Sequence, residues 1–316
     1  MYVSVALLQQ ATFNSEFSLP RSPGQSIIEY VERELERRTQ YVAEKIKSAL
    51  AVVHQDNANS ECLFFVLPEF FWNVPWSAVA SREELLALSD TCFERISECV
   101  SHLLDSFPVS THGHLAVLAG TCATLAEVES TTGTHFEVIN YLLAGSNASQ
   151  NALGKSSLVM WPKRYVSGID FGNNKKGDSN YWFFELAEGV TIKVKNKSSS
   201  LAESNTAAGY RTIFKNDFVE RCPISIDLCL DYAVVGNQER ENEYTDWNSK
   251  LDFLIACGME FDREKQHLES LQFAFRNDGM GAGMCEAVTV VNGRITNKLP
   301  TVRVDNNIHM VHINVA

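Results

Sequence analysis

The sequence predicts a single α/β domain. Apolar runs and helical periodicities alternate as strand, helix, strand, helix and strand over the first third of the chain, and short strands dominate later. We find no internal repeat and no clear interdomain linker, and 316 residues are enough for one large core. We therefore expect one domain over residues 1–316, with an irregular insertion at about 172–210 where polar, Ser-rich sequence replaces the pattern.

The two long helices carry recognisable start signals. Ser26 and Glu29 form one capping box, and Ser81 and Glu84 form a second. Apolar residues follow each box at helical spacing, to residue 53 in the first case and to residue 103 in the second. Apolar runs at 2–8, 62–67 and 114–118 predict the strands that alternate with these helices.

Further strands are predicted from short apolar runs between turn residues. Asn292-Gly293 predicts a tight hairpin between two of them. The helical patterns in this part are short, at 244–248 and 262–268. The predicted strands lie at 136–143, 157–161, the run before Cys229, 251–256, 271–275, 287–291, 294–295, 302–304 and 310–315.

Composition excludes several classes of function. A formal net charge of −12 argues against nucleic acid as a partner, because nucleic-acid-binding proteins usually carry a basic surface. No apolar run approaches the roughly 20 residues that span a bilayer, and residues 1–13 lack the features of a signal peptide. The eight cysteines form no CxxC pair. We expect reduced thiols and a cytoplasmic protein that does not bind membranes.

Three predicted strands end on residues that carry chemistry. Glu69 follows Phe64–Pro68, Lys163 follows Ser157–Pro162, and Cys229 follows the strand that begins after Pro223. A cysteine thiol needs a base or a positive charge to become a nucleophile, and none of the eight histidines stands in a recognisable partner motif. A buried glutamate has the raised pKa of a general base, and a lysine stabilises a developing oxyanion.

Together these motifs resemble the Glu-Lys-Cys triad of the nitrilase (carbon-nitrogen hydrolase) superfamily, in its amidase-like branch. The residues that carry the resemblance are Leu-Pro-Glu69-Phe-Phe, Trp-Pro-Lys163-Arg-Tyr and Ile-Asp-Leu-Cys229-Leu-Asp. The order of strands and helices also resembles that family from residue 2 to about residue 295. The resemblance implies a four-layer α-β-β-α sandwich.

The resemblance further implies a mechanism that needs no metal and no organic cofactor. Glu69 would accept the thiol proton, and Cys229 would attack an amide carbonyl or a nitrile carbon. Lys163 and the backbone N–H of Leu230 would hold the oxyanion. An amine or ammonia would leave, and water would release an acid from the thioester.

Two departures from the family pattern affect the prediction. Members often carry a second glutamate between the lysine and the cysteine, which positions the substrate. Glu185 is our first choice for it, with Asp170 and Asp178 as alternatives. Nitrilases proper often have tryptophan directly after the cysteine, and here Leu230 stands there. This favours amide over nitrile chemistry.

We therefore predict a cysteine-dependent hydrolase of a non-peptide C–N bond in a small linear amide. One alternative keeps the fold but changes the reaction. The enzyme would then be an acyltransferase that passes the acyl group of the thioester to an amine or alcohol, or a nitrilase that acts on a nitrile. A second alternative is a catalytically silent interaction module or effector. The resemblance also implies packing through one face of the sandwich, so we expect a homodimer or a larger homo-oligomer.

Overall fold

The fold is described from a computed structural model of the chain. The structure describes residues 1–13, 15–55, 60–131, 133–150, 156–171, 173–178, 180–196, 216–217, 219–235 and 248–316. The helices are α1 (Ile27–Gln55), α2 (Arg82–Asp105), α3 (Val109–His112) and α4 (Leu230–Val234). Two 3₁₀ turns lie at Ser15–Phe17 and Trp76–Ala78.

The strands of the first half are β1 (Tyr2–Leu8), β2 (Cys62–Val66), β3 (Leu115–Ser130), β4 (Gly133–Gln150), β5 (Ser156–Pro162), β6 (Asn173–Gly177), β7 (Tyr181–Ala187) and β8 (Val190–Lys195). Those of the second half are β9 (Ile224–Leu228), β10 (Leu251–Ala256), β11 (Phe273–Asp278), β12 (Met284–Val291), β13 (Arg294–Lys298), β14 (Val302–Arg303) and β15 (Ile308–Asn314).

The strands form two sheets. The first has the order β14-β15-β1-β2-β3-β4-β8-β7-β6, and β5 also pairs with β4. Its centre, β1-β2-β3, is parallel, because the long helices α1 and α2 connect these strands. The second sheet has the order β13-β12-β11-β10-β9, with β9, β10 and β11 parallel and the hairpin β12-β13 at one edge.

The two sheets pack face to face. Apolar side chains from β1 to β5 and β15 form one buried cluster with side chains from β9 to β12. Within it the rings of Phe64 and Phe253 lie 5.5 Å apart, and the Asn277 side-chain amide donates to the Val66 carbonyl at 2.8 Å. The opposite face of the first sheet is covered by α1 and α2. The chain therefore has a mixed α/β fold with a helical layer and two stacked sheets.

The outer face of the second sheet is covered differently. In the described part of the chain, α4 and the irregular segment 257–271 lie there, and they bury Tyr232, Leu254, Leu271 and Ala274. The helix predicted at 262–268 is wrong. This segment is instead irregular, and its His267 N–H donates to the Gly293 carbonyl of the β12-β13 turn. Tertiary contacts have overridden a weak local helix preference.

The helix start signals are confirmed. Ser26 and Glu29 exchange hydrogen bonds before α1, at 2.9 Å from the Ser26 N–H and 3.2 Å from the Glu29 N–H. The Ser81 hydroxyl accepts the Glu84 N–H before α2. These bonds satisfy donors that no helical carbonyl can reach, which explains why both helices begin where the sequence predicts.

The segment predicted as an irregular insertion is partly regular. Its described part forms β6, β7 and β8, and residues 197–210 lie outside the described residues. Two apolar alternations, Tyr181–Ala187 and Val190–Lys195, flank a turn at Gly189, whose φ of +79° suits glycine. Most of the helix predicted at 244–248 also lies outside the described residues. No helix within the described ranges is long and apolar enough to cross a bilayer.

Candidate active site

Three strand ends bring Glu69, Lys163 and Cys229 together. Glu69 follows β2, Lys163 follows β5 directly, and Cys229 follows β9 directly. All three are buried, with at most 4% of each residue exposed. The Lys163 ammonium donates to Oε1 of Glu69 at 2.9 Å. A carboxylate, an ammonium and a thiol thus share one desolvated region at the ends of strands from both sheets.

Asp170 supplies a second carboxylate to Lys163. Its Oδ1 and Oδ2 lie 2.9 and 3.0 Å from Nζ, and Oδ2 also accepts the Ser167 N–H at 2.8 Å. The Asn140 amide donates to Oε1 of Glu69 at 3.3 Å, while Oε2 of Glu69 is buried without a hydrogen-bond partner. Lys163 is therefore held between two carboxylates, and one Glu69 oxygen is left available.

Cys229 sits in a strained turn between β9 and α4. Its φ of 49° and ψ of −105° are rarely adopted by residues other than glycine, and such strain persists at functional sites. Its N–H donates to the Ile255 carbonyl at 3.0 Å, and its Sγ lies 3.5 Å from the Cys257 carbonyl oxygen. The next N–H, of Leu230, begins α4 and has no acceptor among the described residues.

Burial controls the protonation of the acid and the thiol. Burial raises the pKa of Glu69 to about 7, and the charge of Asp170 adds to this rise while Lys163 opposes it. The Cys229 thiol also interacts with the Glu69 carboxyl and lowers its pKa. Burial, followed by the charge of Glu69, raises the pKa of Cys229 well above its ordinary value. Cys229 is thus a neutral thiol beside a carboxyl that changes protonation near neutral pH.

Lys163 is held in its charged form. Burial by itself would lower the pKa of this ammonium, but the charges of Asp170 and Glu69 more than offset burial and raise the pKa well above its ordinary value. Lys163 therefore acts as a permanent positive charge in the site and not as a base.

Backbone contacts fix the turn that carries Glu69. The Thr12 hydroxyl donates to the Glu69 carbonyl at 2.5 Å. Phe70 has a φ of 60°, and its N–H donates to the Thr121 hydroxyl at 2.9 Å. Gly120 packs so closely under Pro68 that a Cβ atom there would meet the Pro68 carbonyl oxygen. The turn that carries Glu69 is thus held by residues from two separate segments, the loop at Thr12 and strand β3.

Asp231 joins the turn at Cys229 to the segment after Lys163. Its two carboxylate oxygens accept the N–H groups of Arg164 and Tyr165 at 2.8 and 2.9 Å. Asp231 is buried in the first turn of α4, and burial raises its pKa to about 7. These hydrogen bonds link the first turn of α4, directly after Cys229, to the segment directly after Lys163.

A cavity of about 570 Å³ opens beside this cluster. Phe70 and Asp170 line it on the side of the cluster. The rings of Trp76 and Phe171, whose centroids lie 5.3 Å apart with planes tilted by 44°, form part of its wall. Glu185 also lines the cavity, from β7. A small molecule in this space would lie beside Asp170, one of the two carboxylates that contact Lys163.

The structure places the three candidates for the second carboxylate in different positions. Asp170 contacts Lys163, Glu185 lines the cavity, and Asp178 accepts the N–H groups of Asn180 and Tyr181 within its own turn. Sequence reasoning missed Asn140, which lies in β4 with no motif around it. No group of three His, Cys, Asp or Glu side chains within the described ranges could hold a metal ion. All eight cysteines are free thiols.

Comparison with known proteins gives similarity of fold only. No family model matches the chain, and no curated protein matches it. Among solved structures, it is similar to a carbon-nitrogen hydrolase from Helicobacter pylori G27, at 11% identity and a TM-score of 0.45, over 98% of this chain and 88% of that one. It is also similar to an amidase from Nesterenkonia sp., at 12% identity and a TM-score of 0.41, over 98% and 90%. At such identities, a functional argument has to come from the site residues.

Proposed function

We propose that this protein is a cysteine-dependent hydrolase that cleaves a non-peptide C–N bond of a small linear amide through a thioester. The observation that carries the proposal is the buried cluster in which Glu69 and Asp170 hold the Lys163 ammonium beside the strained turn of Cys229. Like-charged carboxylates and a buried cation are unfavourable in a core that only has to pack. Perturbed groups of this kind beside a cavity are typical of catalytic sites.

In the first half-reaction, Sγ of Cys229 attacks the amide carbonyl and Glu69 accepts the thiol proton. The neutral resting thiol requires such a base, and a pKa of about 7 leaves Glu69 partly ionised at neutral pH. The carbonyl oxygen becomes an oxyanion that Lys163 and the Leu230 N–H stabilise. Glu69 then passes the proton to the leaving nitrogen, the C–N bond breaks, and a thioester remains on Cys229.

The hydrogen bonds of Lys163 suggest how an N–H becomes available for the oxyanion. In the resting state its donors are directed to Oε1 of Glu69 and to both oxygens of Asp170. When Glu69 takes up the thiol proton it loses its charge, so its attraction for Lys163 weakens. One donor can then turn to the oxyanion as negative charge develops there, while Asp170 keeps the ammonium in place.

In the second half-reaction, water attacks the thioester carbonyl and Glu69 again acts as the base. The tetrahedral intermediate uses the same two donors, and the C–S bond breaks to release a carboxylic acid and the thiol. We assign no step to a metal or cofactor. The substrate-positioning role falls to Asp170 through its contact with Lys163, and Glu185 is placed to contact the distal part of a substrate in the cavity.

The proposal includes membership in the amidase-like branch of the nitrilase superfamily, with a full four-layer α-β-β-α sandwich. Leu230 in place of tryptophan supports amide over nitrile chemistry. The family assignment also brings the expectation of a cytoplasmic homodimer or larger homo-oligomer. Light scattering after size-exclusion chromatography tests the assembly, and a mass near 35.3 kDa in solution would contradict it.

The decisive experiment traps the thioester. Protein is incubated with a panel of small amides and nitriles, and its intact mass is measured for the wild type and for Glu69→Gln. We expect the wild type to carry an acyl increment that peptide mapping places on Cys229, and Glu69→Gln to carry little or none, because the neutral thiol needs this base for its attack. Cys229→Ala must abolish the increment. Cys257→Ser is the matched control, since Cys257 is a buried thiol on the neighbouring strand end.

The result also separates the alternatives. Release of free acid supports the hydrolase, and transfer of the acyl group to an added amine in its place supports an acyltransferase. Full amidase activity in Cys229→Ala would reject the thioester mechanism. Absence of any adduct across the panel, together with ordinary thiol reactivity of Cys229, would support an interaction module without catalysis.

A further inference from the structure

Arg38 is a buried cation outside the triad that contacts the segment directly after Glu69. It lies on α1 with 1% of its surface exposed. Its Nη1 donates to the Phe71 carbonyl and, at 2.8 Å, to the Asn73 carbonyl. Its Nη2 donates to the Ser18 hydroxyl at 2.6 Å. One guanidinium group thus ties two separate loops to the helix.

The surroundings keep Arg38 charged and fixed in direction. Burial lowers the pKa of Arg38 to about 10, so it remains protonated at neutral pH. Glu34, one helical turn earlier, is fully buried and places Oε2 3.8 Å from Nη2. The Phe17 ring lies under the guanidinium carbon at 4.8 Å. The planar guanidinium of Arg38, held by the Glu34 carboxylate and the Phe17 ring, can donate to three acceptors at once. A lysine ammonium cannot do so in the same geometry.

The two loops that Arg38 joins border the candidate active site. Phe71 and Asn73 are the second and fourth residues after Glu69, and the Asn73 N–H closes a turn onto the Phe70 carbonyl at 3.1 Å. The Phe70 ring lies 5.8 Å from the Lys163 ammonium. Ser18, Phe70 and Asn73 all line the cavity beside Asp170. A shift of this turn would therefore move both the base and the cavity wall.

We propose that Arg38 is a positioning residue, which holds the turn after Glu69 and the loop at Ser18 so that the Glu69 carboxyl faces the Cys229 thiol and the cavity keeps its width. This inference rests on the proposed function for its catalytic meaning. It differs from a packing role, because it predicts a change in the chemistry of Cys229 and not only in stability.

Arg37 provides a matched control on the same helix. It is also an arginine bonded to Glu34, and it donates to the Phe17 carbonyl, but no contact with residues 70–73 is found for it among the described residues. Arg37→Lys therefore perturbs the same charge cluster without loosening the turn after Glu69. A difference between Arg38→Lys and Arg37→Lys therefore reports the contacts of Arg38 with Phe71, Asn73 and Ser18.

The test measures alkylation of Cys229 by iodoacetamide, using peptide mass mapping, from about pH 5 to pH 9, with thermal unfolding recorded for each protein. In the wild type and in Arg37→Lys we expect the rate to rise through an inflection near the pKa of Glu69. In Arg38→Lys we expect a rate about tenfold lower near neutral pH and no inflection there, because a base displaced by about 1 Å no longer reaches the thiol.

Ser18→Ala is the second variant, and it keeps the arginine while it removes one acceptor. We expect it to lower the rate about threefold, and it decides the question if Arg38→Lys does not fold. The inference is overturned if folded Arg38→Lys reacts at the wild-type rate with an unchanged inflection. If Arg38→Lys does not fold, the same result in Ser18→Ala overturns it. Alkylation of Cys229 needs no substrate. If no amide of the panel reacts, the proposed function is rejected, but the alkylation rates still test the role of Arg38.

Discussion

Replacement of Asp170 by asparagine tests the arrangement around Lys163 most directly. The change keeps the size of the side chain and removes its charge. Asp170 presents both oxygens to a Lys163 ammonium whose side chain is 2% exposed, and Oδ2 also accepts the Ser167 N–H. The asparagine amide has one acceptor oxygen, so its NH₂ group faces the ammonium in either orientation.

The expected loss of stability follows from the buried charge. Removal of one partner from a buried ion pair costs about 3 to 5 kcal/mol. Glu69 remains within 2.9 Å of Lys163 as a counter-charge, so we expect the lower end of this range, about 3 kcal/mol. Such a loss is a large fraction of the roughly 5 to 15 kcal/mol that stabilises a typical domain.

The substitution also changes the titration of Glu69. The negative charge of Asp170 raises the pKa of Glu69, so its removal lowers that pKa below about 7. Glu69 is then ionised over a wider pH range but is more firmly paired with Lys163. We therefore expect the inflection in Cys229 alkylation to move to lower pH and the rate above it to fall.

Urea denaturation gives the free energy of unfolding, and iodoacetamide mapping gives the inflection. Glu185→Gln is the control, because it removes a carboxylate from the same cavity, and we expect it to cost about 1 kcal/mol or less. The reasoning is refuted if Asp170→Asn matches the wild type in both measurements. A larger effect from Glu185→Gln than from Asp170→Asn would instead assign the second carboxylate to Glu185.

Three further predictions concern the residues that orient the site. Folding raises the pKa of Asp231 from 3.8 to about 7, so the folded state binds the carboxyl proton more tightly than the unfolded state does. The protonated Asp231 carboxyl therefore contributes up to about 4 kcal/mol of stability at low pH, and this contribution is lost as the pH rises from about 4 to 7. Asp231→Asn should flatten that part of the profile in urea titrations at several pH values, and an unchanged slope would contradict the assignment. Gly120→Ala should lose at least about 2 kcal/mol of unfolding free energy, since its φ is +67° and its Cβ would meet the Pro68 carbonyl; wild-type stability would show that the turn is loose. Thr121→Val should leave the buried Phe70 N–H without an acceptor and lower stability by about 1 to 3 kcal/mol, and a loss below about 0.5 kcal/mol would argue against that bond.

Local signals in the sequence predicted the regular elements well where the pattern was strong. The capping boxes at Ser26 and Ser81 placed both helix starts, and Asn292-Gly293 placed the β12-β13 hairpin, because these signals act through hydrogen bonds and φ values of neighbouring residues. The segment 262–268 was predicted as a helix and is irregular, because its contacts with the β12-β13 turn and the second sheet decide its course. The hairpin β7-β8 was missed because polar residues around it concealed its alternation.

The sequence by itself determined the α/β class, the three polar strand ends and the residue types that make thiol chemistry plausible, since each depends on side chains that are close along the chain. Tertiary structure decided that Asp170 contacts Lys163 while Glu185 lines the cavity, that Asn140 contacts Glu69, and that Arg38 holds the turn after Glu69. These contacts join residues 7 to 71 positions apart, and their energies depend on burial and on directions in space. No periodicity or spacing along the chain encodes such directions, so they emerge only when the two sheets and the helical layer have packed.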